Sequence, residues 1–150
     1  MIFLTLFMAK SCDNATQNDL NNAVIQYAAD TRGYHLKIII TNQTATISQG
    51  RSPENKAEQI KISDADWKAL VNGFAEINLE DLPNFKDPTQ KRFYDGAAAA
   101  NLKVRYQDKN YESKDFDHGY PPAEIEKLVT KIVSLAKTAE WPYKKYKTKS

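Results

Sequence analysis

From Tyr34 to Thr41 the chain alternates, with Leu36, Ile38 and Ile40 interleaved with Lys37, Ile39 and Thr41. A period of two sends successive side chains to opposite faces of an extended strand, so one face is expected to be buried. Asp30-Thr31-Arg32-Gly33 before this segment and Asn42-Gln43 after it are turn signals. They place a strand at Val24 to Ala29, with a short helix from Asn18 as the alternative, and a returning strand at Thr44 to Gln49. Gly50 to Asn55 reads as a loop and Ala57 to Ile62 as a fourth extended segment, which makes the first half a β-meander.

The period then changes. Ser63 is a good N-cap, Asp64 and Asp66 place negative charge in a first helical turn, and Trp67, Leu70, Val71, Phe74 and Ile77 recur at helical spacing. Residues 78–95 carry Pro83 and Pro88 and show neither period, so they read as a long loop, of a length that is often functional. Alternation resumes over Ala97 to Tyr106. Asp108-Lys109-Asn110 is expected to turn the chain into Tyr111 to Phe116, closing a hairpin. The four alanines that lead this hairpin suggest a strand crossed closely by a helix or by the long loop. Pro121-Pro122 then opens a second helix, with Ile125, Leu128, Val129, Ile132, Leu135 and Ala136 on one face. The order meander, helix, hairpin, helix predicts an α+β fold: an antiparallel sheet with both helices on one face.

The N-terminus follows a different pattern. Met1 to Ala9 is an unbroken apolar run, too short to span a bilayer at roughly 20 residues per helix. Apolarity stops at Cys12, and the polar stretch Asp13 to Asp19 follows at once. With Ala9-Lys10-Ser11-Cys12 as its processing box, this segment resembles a bacterial lipoprotein precursor. The resemblance covers the first dozen residues and implies cleavage before Cys12, a diacylglyceryl group on its sulfur, and attachment of the mature chain to a membrane of the cell envelope. The alternatives are a buried N-terminal strand with Cys12 as a bystander, or an ordinary cleaved secretory signal. The resulting division is a signal at 1–11, a polar tether at 12–22, one α+β domain at 23–140 and a basic aromatic tail at 141–150.

Composition adjusts this picture modestly. The chain has 150 residues, one cysteine and a formal charge of +2. An intramolecular disulfide is therefore impossible, and the basic excess is too small to point to nucleic acid. Lysines after Ala136 give residues 137–150 a local +4 and leave the body at −2. Trp141-Pro142-Tyr143 and the lysines that follow could lie on an anionic membrane surface or simply be solvated.

Reactive side chains concentrate in Arg92-Phe93-Tyr94-Asp95-Gly96 and in Asp115-Phe116-Asp117-His118-Gly119-Tyr120, at the entrance and exit of the second hairpin. A regular hairpin would bring Asp95 and His118 toward one another, and a histidine beside a carboxylate is the minimum for acid-base chemistry. Asp-Gly and His-Gly are equally the material of turns. Asp95, Asp117, His118 and Tyr120 are the candidate ligand-binding residues, and Cys12 is the lipidation site. No cofactor is expected: glycine-rich phosphate loops, nucleophile elbows and zinc-ligand spacings are missing. The preferred reading is a lipid-anchored, non-catalytic envelope module that binds a protein, peptide or glycan through the sheet or the long loop. A small hydrolase-like enzyme using Asp95, Asp117 and His118 is the alternative.

Overall fold

The computed structural model describes residues 20–136. Seven strands form one antiparallel sheet: β1 (Val24–Thr31), β2 (Tyr34–Thr41), β3 (Thr44–Gly50), β4 (Glu58–Lys61), β5 (Ala99–Tyr106), β6 (Lys109–Glu112) and β7 (Phe116–Asp117). Their order across the sheet is β4-β3-β2-β1-β5-β6, and β7 also pairs with β5. Two helices, α1 (Asp64–Ala75) and α2 (Glu126–Ala136), pack against the sheet, so the fold is α+β as its periodicities predict. The signal segment, Cys12, most of the tether and the basic aromatic tail lie outside the described residues. Leu20, at the inner end of the expected tether, is buried in the core, so the packed body takes in residues ahead of Ala23.

Two-residue loops make the hairpins tight. Asn42 and Gln43 both have positive φ (48° and 60°), as do Gln107 and Asp108 (51° and 60°), the backbone that matches the twist of paired strands. The second hairpin therefore turns one to two residues earlier than expected, because Lys109 and Asn110 already pair with Tyr106 and Arg105. Residues 24–29 are strand, extended to Thr31, which pairs with Tyr34.

Register lines the core face up in rows across the sheet. Ala45, Ile40, Ile25 and Val104 form one row; Ile47, Ile38, Tyr27 and Leu102 the next; Leu36, Ala29, Ala100 and Phe116 a third. All of these are buried. Trp67, Leu70, Val71 and Phe74 of α1, with Leu128, Val129, Ile132 and Leu135 of α2, close over the rows. Each large side chain so buried contributes about 1.5–3 kcal/mol before chain entropy is subtracted. Ser63 caps α1 by accepting from the Asp66 N–H at 3.2 Å. The helices cross closely at Gly73: a Cβ there would lie 3.3 Å from the Leu128 main chain.

The outer edge of the second hairpin is broken. Lys103 pairs with Glu112, but Ala100 pairs with Phe116, so four steps on β6–β7 match three on β5. This is a β-bulge at residues 113–115. Ser113 repairs the ladder, because its N–H donates to Leu102 O and its Oγ accepts from Leu102 N–H, both at 2.9 Å. Residues 78–95, expected as an irregular loop, contain two 3-10 turns, Leu79–Asn84 and Lys91–Phe93. Buried Leu82 and half-buried Phe85 tie the first turn to the core.

Candidate functional site

Asp117 and His118 follow one another in β7 and the turn after it, and they project to opposite faces. Asp117 takes the face away from the helices, yet its side chain has no exposed surface, because residues 89–92 fold over it. Its Oδ2 accepts from Thr89 Oγ1 and from the Lys91 N–H, each at 2.5 Å. Its Oδ1 accepts from the Arg92 N–H at 3.0 Å and from Arg92 Nη1 at 3.1 Å. Arg92 Nη2 reaches Asp87 at 2.8 Å. Burial alone would push the Asp117 carboxyl up; the donors from Thr89, Arg92 and Lys91 outweigh it and hold the pKa at about 2. Asp117 is thus an ionised anchor that fixes the loop.

His118 faces the helix side. Its N–H donates to Ala98 O at 2.9 Å, continuing the β7–β5 ladder by one residue. Its ring lies between Tyr27 and Tyr34, with centroids 5.9 and 5.6 Å away. Tyr27 Oη is 2.7 Å from Nδ1 and Tyr34 Oη is 3.3 Å from Nε2. Burial, with a smaller contribution from Tyr34, pushes the Tyr27 phenol far above its ordinary pKa, so it remains protonated. The neutral Nε2–H tautomer satisfies both contacts: Tyr27 donates to Nδ1, and Nε2–H donates to Tyr34 Oη. His118 is therefore more than a turn residue. It joins the first hairpin to the second.

The clamped loop carries an exposed aromatic ledge. Phe93 and Tyr94 are 73% and 77% exposed, and Tyr120, on the neighbouring turn, is 45% exposed. Cations sit on two of these rings: Arg92 Cζ lies 4.5 Å from the Phe93 centroid, and Lys91 Nζ 4.5 Å from that of Tyr120. Lys91 Nζ also donates to Tyr120 Oη at 3.3 Å, a bond between loop and turn. Gly96 (φ 67°) ends the ledge and Gly119 (φ 91°) shapes the turn.

The four candidate ligand-binding residues meet different fates. Asp117 serves the loop and His118 the tyrosines, while Asp95 is exposed and its N–H donates to Lys91 O at 2.7 Å. Asp117 and His118 take opposite faces and bond to different partners, so these two do not form one acid-base group. Asp95 and Tyr120 are the two of the four that stay exposed. Sequence reasoning missed Thr89, Asp87, Tyr27 and Tyr34. A lone threonine or aspartate in a proline-bearing loop carries no signal, but a tyrosine at a core position of an alternating strand does, because its hydroxyl needs a partner.

Among the described residues, no three His, Cys, Asp or Glu side chains group as metal ligands, and no helix is long and apolar enough to cross a membrane. No protein-family model matches the chain, and no curated protein matches it.

Proposed function

We propose that the chain is a lipid-anchored binding module of a bacterial cell envelope, held to a membrane at Cys12 and engaging its partner through Phe93, Tyr94 and Tyr120. One observation carries the binding half of this reading. A fully buried carboxylate, Asp117, spends both oxygens on fixing Lys91 and Arg92, and the residues that follow are two of the three most exposed large hydrophobics described. Such rings bury little surface on folding, whereas aromatics already presented to solvent on a fixed main chain cost little entropy to bind. The anchor half rests on the apolar run that ends at Cys12.

Two measurements test it. Cys12→Ser should abolish lipid labelling and move the protein to the soluble fraction; unchanged membrane association would overturn the anchor. A photocrosslinking residue in place of Tyr94, in native cells, should form adducts that disappear when Phe93 and Tyr120 are changed to Ala. Adducts that persist, or none at all, would overturn the ledge as the binding surface.

A further inference from the structure

The ledge also limits what it can bind. Its cations are Lys91 and Arg92; Asp87 and Asp117 pair with Arg92, and Asp95 lies near Lys91. An uncompensated field that would gather a polyanion or a polycation is lacking in this cluster. Lys91 lies within electrostatic reach of Tyr94, Tyr120 and Asp95, so its ammonium belongs to the ledge itself. Covering an ammonium with the apolar centre of a protein interface is costly, and lysine is depleted there. A ligand rich in hydroxyls avoids that cost, because each hydroxyl can accept from Lys91 or donate to Asp95. The C–H groups on one face of a pyranose carry slight positive charge and suit the negative face of an aromatic ring. Arg92 and Lys91 each occupy one side of a ring, and Tyr94, the most exposed of the three, offers the broadest free surface.

We propose that Phe93, Tyr94 and Tyr120, with the Lys91 ammonium and the Asp95 carboxylate, form a ledge for a neutral oligosaccharide: sugar rings stack on the aromatics while sugar hydroxyls bond to the two charged groups. This deepens the binding-module reading and rests on it. Asp117 enters as a positioning residue, because it holds the main chain from which the rings project.

The test is titration of the full chain with cellohexaose, chitohexaose and mannohexaose, followed by NMR, beside polygalacturonate as an anionic comparator. At least one neutral hexasaccharide should bind at millimolar concentration or below. Tyr94→Ala and Phe93→Ala should each weaken it about tenfold, a differential of about 1.4 kcal/mol, with unfolding midpoints unchanged because both rings are exposed. Asp95→Asn should weaken it severalfold. Raising the salt about tenfold should leave the affinity within about twofold, since no charge is neutralised on binding. Absence of binding by all three neutral sugars, indifference to Tyr94→Ala, or a salt-sensitive preference for polygalacturonate would each overturn the proposal. If the sugars fail while the Tyr94 crosslinks persist in cells and require Phe93 and Tyr120, the binding module stands and its ligand is not a neutral glycan.

Discussion

Arg92 meets Asp117 twice: its main-chain N–H and its Nη1 both reach Oδ1, at 3.0 and 3.1 Å. One contact fixes the backbone of the loop and the other its side chain, so the loop is held at the sheet edge as a unit. Thr89 and Lys91 complete the clamp through Oδ2.

Asp117→Asn is therefore expected to destabilise the fold by about 3 kcal/mol, the range for removing one partner of a buried, hydrogen-bonded charge pair. The amide keeps the shape, but its NH2 would face donors and Arg92 would lose its anion. Urea unfolding measures the loss; a change below about 1 kcal/mol would show that the loop is held by other contacts.

The same carboxylate predicts a pH dependence. With a folded pKa of about 2, below the ordinary 3.8, the unfolded chain binds more protons between these values, so stability rises with pH there. The contribution of Asp117 is fully present above about pH 4 and is lost as pH falls toward 2. The stability difference between the wild-type chain and Asp117→Asn should accordingly shrink between pH 5 and about 2.5. A constant difference across that range would contradict an ionised anchor.

His118→Ala should cost about 1–3 kcal/mol, because it leaves the wholly buried Tyr27 hydroxyl without its 2.7 Å partner. Tyr27→Phe should cost less, since His118 is only half-buried and water can replace the hydroxyl. In a double-mutant cycle the two should couple by at least about 0.5 kcal/mol. Strict additivity would mean that the contact carries no energy.

At Gly73 the ordinary helix preference should reverse. Replacing glycine by alanine inside a helix usually stabilises by about 0.5–1 kcal/mol. Here the new Cβ would press on the main chain of Leu128, which cannot rotate away. Gly73→Ala should gain nothing and Gly73→Val should cost about 1–3 kcal/mol, read as a lowered thermal midpoint. A stabilised Gly73→Val chain would contradict the close crossing of α1 and α2.

Much of the fold was legible because its signals are local. Leu36, Ile38 and Ile40 announce their strand, and Ser63 announces the start of α1 with no help from the rest of the chain. The site was far less so. Asp117 owes its role to Thr89, Lys91 and Arg92, more than 20 residues away, and His118 to Tyr27 and Tyr34, more than 80 away. Neither partnership follows from spacing. The face assignments needed the interruption of the hairpin, and its only trace in the sequence is that Tyr111 and Phe116 stand an odd number of residues apart although both occur in one expected strand.

That odd interval gives the edge strand something like a reading frame. The extra residue between Glu112 and Phe116 acts as a frameshift in the ladder: up to Glu112 the even-numbered residues share a face with Lys103, and beyond it the odd-numbered ones share a face with Ala99. Were the same residues run through an unbroken ladder, without the bulge, every side chain after Glu112 would change sides. Phe116 would turn to solvent, Asp117 would be driven under the helices with no Arg92 to meet it, and His118 would leave the tyrosines. A single-residue deletion at 113–115 shortens the four steps from Glu112 to Phe116 to the three of β5, so Phe116, Asp117 and His118 should keep their sides and clamp, stack and ledge should survive it together.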